Sequence, residues 1–151
     1  MKEWQEAPIF GARSERERYT VRPSAYGLID DGRGQIAVVR TPQGIFLPGG
    51  GIDAGETATQ AVVREAQEEC GFLVRVGTWA TFAVQFCYSE SEKTHFEKRC
   101  TFVDAVFEAT APAKEADHEL VWMALDAASA IMAHESHGWA ITAWRNRRAK
   151  P

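Results

Sequence analysis

The chain has no long apolar run. Nothing in its 151 residues approaches the ~20 consecutive apolar positions that a membrane-crossing helix needs. The opening stretch, residues 1–18, is charged throughout and has no apolar core of the secretory-signal kind. Cysteine is scarce: Cys70, Cys87 and Cys100 are the three present, with no CxxC pair. That count excludes a disulfide framework and a cysteine zinc site, and it sets the cytoplasm as the expected location. An excess of basic residues is also missing. With 17 Lys+Arg against 21 Asp+Glu, the net charge is −4. A general nucleic-acid binder would show the opposite balance, so neither nucleic acid nor membrane is an expected partner. There is no repeat, low-complexity segment or linker. What remains is 45% apolar and 25% charged, the ordinary mix of a globular domain. One domain is expected over residues 1–151, with 1–18 as a loosely structured arm or a first strand with a loose lead-in.

Strand-like stretches run from Tyr19 to Ile29 and from Gln35 to Arg40, joined by the turn Asp30-Asp31-Gly32-Arg33-Gly34. Ile45-Phe46-Leu47 is a short strand, and Pro48-Gly49-Gly50-Gly51 is expected to be irregular. Thr57 to Glu69 reads as a helix capped near Thr57 and stopped at Gly71. Two long strand stretches follow, Phe72 to Tyr88 and His95 to Glu108. After a loop from Ala109 to Glu119 comes a last strand over Val121 to Leu125. Asp126 is placed to cap a helix through Ala133, and another helix covers Gly138 to Arg148. Strands mixed with helices, including one helix between strands, indicate an α/β or α+β sandwich.

The helix after the glycines carries the chemistry. At ~100° per residue, with Glu65 at zero, Glu68 falls near −60° and Glu69 near +40°. Three carboxylates therefore share one face, and Val63, Ala66 and Cys70 are expected on the opposite, core-facing side. Like charges so placed repel, and a divalent cation would remove the repulsion. All-oxygen ligands select Mg²⁺, Mn²⁺ or Ca²⁺ over zinc or copper. The glycines at 49, 50, 51 and 55 let backbone approach a ligand closely. Arg64, the only base on this helix, can orient Glu56 or a neighbouring carboxylate. The segment from Asp53 to Glu69 holds five acids and one base, so it carries the whole net charge and the rest of the chain is neutral.

Gly50, Glu56, Arg64, Glu65, Ala66, Glu68, Glu69, Gly71 and Phe72 together match a known pattern. It is Gly, five residues, Glu, seven residues, then Arg-Glu-apolar-x-Glu-Glu-x-Gly-apolar, and it resembles the signature box of the Nudix (MutT-like) hydrolases. The preceding Phe46-Leu47-Pro48-Gly49 and the strand order are similar to that family too. The resemblance implies an α/β/α sandwich with a central mixed β-sheet. It implies Mg²⁺- or Mn²⁺-dependent attack of water on a nucleoside diphosphate linked to another group. It assigns the metal to Glu65, Glu68 and Glu69 with the Gly49 carbonyl. The proton-accepting base varies in such enzymes, being Glu65 or a loop carboxylate. Glu119 and Glu115 are the loop candidates, with Glu119 favoured as it lies just before the last strand.

Arg22 and Arg40 are candidate phosphate contacts, since a guanidinium matches phosphate geometry. Phe46 and Tyr88 are candidate base-stacking residues, although core packing is the commoner fate of strand aromatics. Tyr88 stands where ADP-ribose-cleaving members tend to carry proline. It resembles the dinucleoside polyphosphate hydrolases, which directs the substrate expectation to those compounds or to nucleoside triphosphates. A competing reading is a non-catalytic Nudix-like nucleotide-binding or regulatory module, against which the intact box carboxylates count. A Nudix-like prenyl diphosphate isomerase is a third. The sequence sets no oligomeric state, and a homodimer is compatible with it.

Overall fold

A computed structural model describes residues 2–112 and 118–147. The aspartates of the first turn shape it directly. Asp30 Oδ1 accepts from the Gly32 amide, and Asp31 Oδ1 accepts from the amides of Arg33 and Gln35. This closes the hairpin between β2 (Tyr19–Asp30) and β3 (Gln35–Thr41), in the register Asp30 opposite Ile36. β3 then pairs antiparallel with β4 (Gly44–Phe46).

The longest strands are β6 (Phe72–Ser89) and β7 (Thr94–Thr110), paired antiparallel with bulges near Leu73 and after Val76. β2 lies parallel to β7 along the whole length of β2, from Tyr19 opposite His95 to Asp30 opposite Val106. β8 (Glu119–Ala124) pairs with β3. The arm is more ordered than the sequence suggests. It contains helix α1 (Lys2–Glu6) and strand β1 (Ile9–Phe10), which adds parallel to β6 at Val84 and Gln85. The sheet is therefore mixed, as expected.

One layer packs on each face of the sheet. On one side α2 (Ala58–Glu65) and the turn that follows it bury Ala61, Val62 and Ala66 against Ala25, Ile29, Val103 and Ala105. On the other side α3 (Leu125–Ile131) and α4 (Glu135–Arg147) bury Ala128, Ile141 and Trp144 against Tyr26, Leu28, Val38 and Phe102. At ~25 cal/mol per Å² this two-sided burial is the main force holding the sandwich.

Four expectations need correction. Gly49–Gly51 is not irregular but forms strand β5, antiparallel to β2 at Ser24, Ala25 and Tyr26. The neighbouring backbone supplies its hydrogen bonds, and the lack of side chains lets it lie under α2. Asp126 is not the cap of α3. Ala124 holds that place, and Asp126 sits in the first turn paired with Arg145. That helix stops at Ile131, and α4 starts earlier, at Glu135. Val63 is 39% exposed, whereas Ala61 and Val62 are buried. Ala66 and Cys70 pack on the core as expected, but the buried side extends round the helix to Ala61, Val62 and Glu69 and leaves Val63 outside it. Glu115 lies outside the described residues.

Candidate functional site

The box helix starts on a reciprocal cap. Thr57 Oγ1 accepts from the Gln60 amide and the Gln60 side chain accepts from the Thr57 amide, so two otherwise orphaned donors are satisfied. The α-helix ends at Glu65, and residues Ala66–Cys70 continue as a π-helical turn. Gly71 closes it in the left-handed conformation (φ 69°), which glycine adopts at little cost. The wider turn changes where the carboxylates emerge. Glu69 becomes buried (9% exposed). Such turns occur often at functional sites.

Arg64 is the hub of the acidic cluster. It binds Glu56 through two nitrogens, Nε to Oε2 at 2.8 Å and Nη2 to Oε1 at 3.0 Å. Its Nη1 donates to Glu65 at 2.5 Å and to Glu68 at 3.3 Å, and its Nη2 donates to the Gly51 carbonyl at 3.1 Å. Asp53 adds a further ion pair at 3.4 Å. The guanidinium hydrogen bonds, with one from the Asp53 amide, hold the Glu56 carboxyl down to about 2. The same pairs raise Arg64 further above its ordinary value.

The carboxylates divide into two groups. Glu65 and Glu68 converge on one guanidinium nitrogen. Glu69 turns the other way, with Oε1 accepting from the Gly49 amide at 2.7 Å and Oε2 lying 3.1 Å from His118 Nδ1. Among the described residues no three carboxylate, imidazole or thiol groups converge as a ready-made metal cage. The donor chemistry nonetheless suits a hard cation. Glu65 and Glu68 already gather around a positive charge, and Glu65 packs on Gly50, where an added Cβ would lie 3.4 Å from its carboxyl. His118 is not among the residues that the sequence pattern singles out. Only the pairing of β8 with β3 brings it to the box, so no spacing rule could have found it.

The other candidates are placed as follows. Glu119 and Arg40 pair with each other at 3.5 Å, and both side chains are more than half exposed. Along β8, Leu120 and Trp122 pack on the box-helix layer, and Val121 and Met123 on the α3/α4 layer. Alternation therefore assigns Glu119 to the layer away from the box. Arg22 lies against β5, since a Cβ at Gly51 would be 2.9 Å from its Nε. It also pairs with Glu92 at 2.9 Å and stacks over Phe96. Phe46 and Tyr88 come together in one cavity of about 270 Å³, which Cys87, Lys98 and His134 also line. Lys98 and His134 were not among the sequence candidates for substrate binding.

Behind that cavity is a histidine-rich core. The Leu47 amide donates to His137 Nδ1 at 3.1 Å, so the ring proton sits on Nε2. Burial lowers His137 well below the usual histidine range. It takes His134 down to about 4, with Lys98 adding to the effect. Phe46 meets His134 edge-on, with centroids 5.1 Å apart.

A family model described as the NUDIX domain matches residues 20–144. No curated protein sequence matches the chain. Among solved structures, a NUDIX hydrolase from Nitrosomonas europaea superposes with a TM-score of 0.65 at 16% identity, covering 84% of this chain and 90% of its own. A MutT NUDIX hydrolase from Burkholderia pseudomallei is 30% identical over 71% of this chain and 85% of its own, with a TM-score of 0.51. An Ap4A hydrolase from C. elegans aligns at 17% identity over 83% of this chain and 98% of its own, with a TM-score of 0.64. Among the described residues no helix is long and apolar enough to cross a membrane.

Proposed function

This chain belongs to the Nudix hydrolase family, enzymes acting on pyrophosphate bonds, and from that premise we propose that it is a divalent-metal-dependent nucleotide pyrophosphohydrolase. Its substrates are dinucleoside polyphosphates or nucleoside triphosphates. The observation that carries this reading is the cluster of Glu56, Glu65 and Glu68 around Arg64, packed on the glycines of β5.

Glu65, Glu68 and Glu69 with the Gly49 carbonyl are the residues that would hold Mg²⁺ or Mn²⁺. When bound, such an ion neutralises phosphate charge and acidifies a water. The protein's own share is positioning. Arg64, held by both oxygens of Glu56, sets the orientation of Glu65 and Glu68 as a fixed fork. Glu65, half of an ion pair and pressed against Gly50, is the proposed base that takes the proton from the attacking water. The Glu119 alternative has less support, because strand alternation turns that carboxylate to the layer away from the box. Arg22, beside Gly51, would meet a substrate phosphate, and Phe46 and Tyr88, which line one cavity, would flank a base. Location in the cytoplasm is part of the same proposal.

The test is turnover of a nucleotide panel in excess Mg²⁺ with identification of products. Release of nucleoside mono- or diphosphates from dinucleoside polyphosphates or triphosphates is expected. Activity confined to ADP-ribose or a sugar nucleotide would reject the substrate assignment.

A further inference from the structure

Two polar groups line the cavity beside β4 without a hydrogen-bonding partner among the described residues. Lys98 is half-buried, and among the described residues its ammonium makes no ion pair or hydrogen bond. His134 Nδ1 is buried and has no hydrogen-bond partner. Buried polar groups are normally satisfied, so a cavity whose wall holds the unsatisfied His134 nitrogen, beside a Lys98 ammonium that no described acceptor engages, is shaped for a ligand that supplies the partners.

The chemistry of the walls narrows that ligand. Phe46 and Tyr88 suit a flat, partly apolar ring. An ammonium has only donors, so Lys98 needs an acceptor. Burial keeps His134 neutral near pH 7, and a neutral imidazole offers one donor and one acceptor. A phosphate fits poorly between aromatic rings, and a phosphate place already exists elsewhere. Lys98 is opposite Arg22 across the β2/β7 pair, and Arg22 touches Gly51 of the box strand. Two strand spacings plus two residues of rise put Lys98 roughly 12 Å from that strand. The cavity is thus offset from the acidic cluster, where the distal end of a nucleotide would lie.

We propose that Lys98 is the specificity residue of this cavity. It selects a nucleobase with a carbonyl at purine position 6 or pyrimidine position 4, as in guanine, uracil or thymine, over adenine or cytosine, which carry an amino group there, and His134 reads the neighbouring ring nitrogen. Guanine and thymine present an acceptor oxygen where adenine and cytosine present an amino donor. An amino group would set donor against donor at Lys98, and mismatches of that kind discriminate strongly. The proposal rests on the nucleotide-hydrolase reading for what enters the cavity.

The experiment measures binding of GDP, UDP and ADP in excess Mg²⁺ to the wild type, Lys98→Met and Lys98→Gln, with turnover of the triphosphates in parallel. The wild type should bind GDP and UDP about tenfold or more tighter than ADP. Lys98→Met should weaken GDP and UDP by about that factor and leave ADP within about twofold. Lys98→Gln should move the preference toward ADP, because an amide can serve both the amino group and the ring nitrogen of adenine. Equal loss for all three nucleotides would assign Lys98 to phosphate and overturn the proposal. So would a wild type that shows no preference or prefers ADP. Lys98-dependent base preference without turnover would defeat the hydrolase reading alone. Turnover with no base preference would defeat this proposal alone, and absence of binding to any nucleotide would overturn both.

Discussion

Glu69 accepts a hydrogen bond from the Gly49 amide at 2.7 Å, across 20 residues of sequence. The contact fastens the π-helical turn to strand β5 and so fixes where the box carboxylates sit relative to the glycines. It depends on Gly49 having no side chain. Its φ is 151°, and a Cβ there would lie 2.1 Å from the Ala25 carbonyl oxygen.

Gly49→Ala should therefore be severely destabilising, by more than about 3 kcal/mol, since the clash is with backbone and cannot relax by a rotamer change. Urea unfolding checks it. A midpoint close to that of the wild type would mean that β5 is not pinned as described.

Glu65→Gln should lower kcat by about 10²–10⁴ while the chain stays folded. Glu68→Lys should abolish turnover by placing an ammonium where the proposed metal would bind. It also removes the i,i+4 pair with Arg64, a loss of only about 0.5 kcal/mol in the helix. Steady-state rates together with melting curves separate the two effects. Retained turnover in Glu68→Lys would show that Glu68 is merely a surface carboxylate.

Mg²⁺ should raise the melting temperature, because a ligand that binds only the native state stabilises by mass action, about 2.7 kcal/mol at 100 times Kd. Coincident melting curves in chelator and in millimolar Mg²⁺ would reject the metal site.

Acid should destabilise the fold first through the buried histidines. His134 titrates at about 4 instead of the usual 6.5 because it is buried. The unfolded chain therefore binds a proton that the native state refuses, and stability falls as pH drops from about 6.5 towards 4. The loss is at most roughly 3 kcal/mol from this residue. His137 acts in the same direction. Below about 4.5 a second loss begins. Glu56 is held at about 2, chiefly by Arg64, and the stability its ionised form brings disappears as pH falls towards that value. Urea midpoints at pH 7, 5.5 and 4.5 measure the first slope. His134→Gln should flatten it, and an unchanged slope would show that another group is responsible.

Local signals were readable where a single stretch of chain determines its own structure. The turn at Asp30–Gly34, the Thr57 cap and the Gly71 stop were all legible, because side-chain oxygens and glycine act within a few residues. The acidic face of the box helix was also legible as a set of residues, though not as a geometry. A uniform helical period cannot anticipate a π turn, nor that the buried side extends to Glu69 and leaves Val63 outside it.

The sequence by itself determined the family and the set of residues that make up the box. Five acids and one arginine follow a glycine run in that segment, and this pattern is local in sequence. Tertiary structure decided the division of labour around them. It turned Gly49–Gly51 into a strand, set His118 against Glu69 and tied Glu119 to Arg40. It gathered Phe46, Tyr88, Lys98 and His134 into one cavity. These meetings join residues tens of positions apart through strand pairing and layer packing. No local pattern encodes them, because the free energy that selects them comes from burial of the whole sheet between its two helical layers.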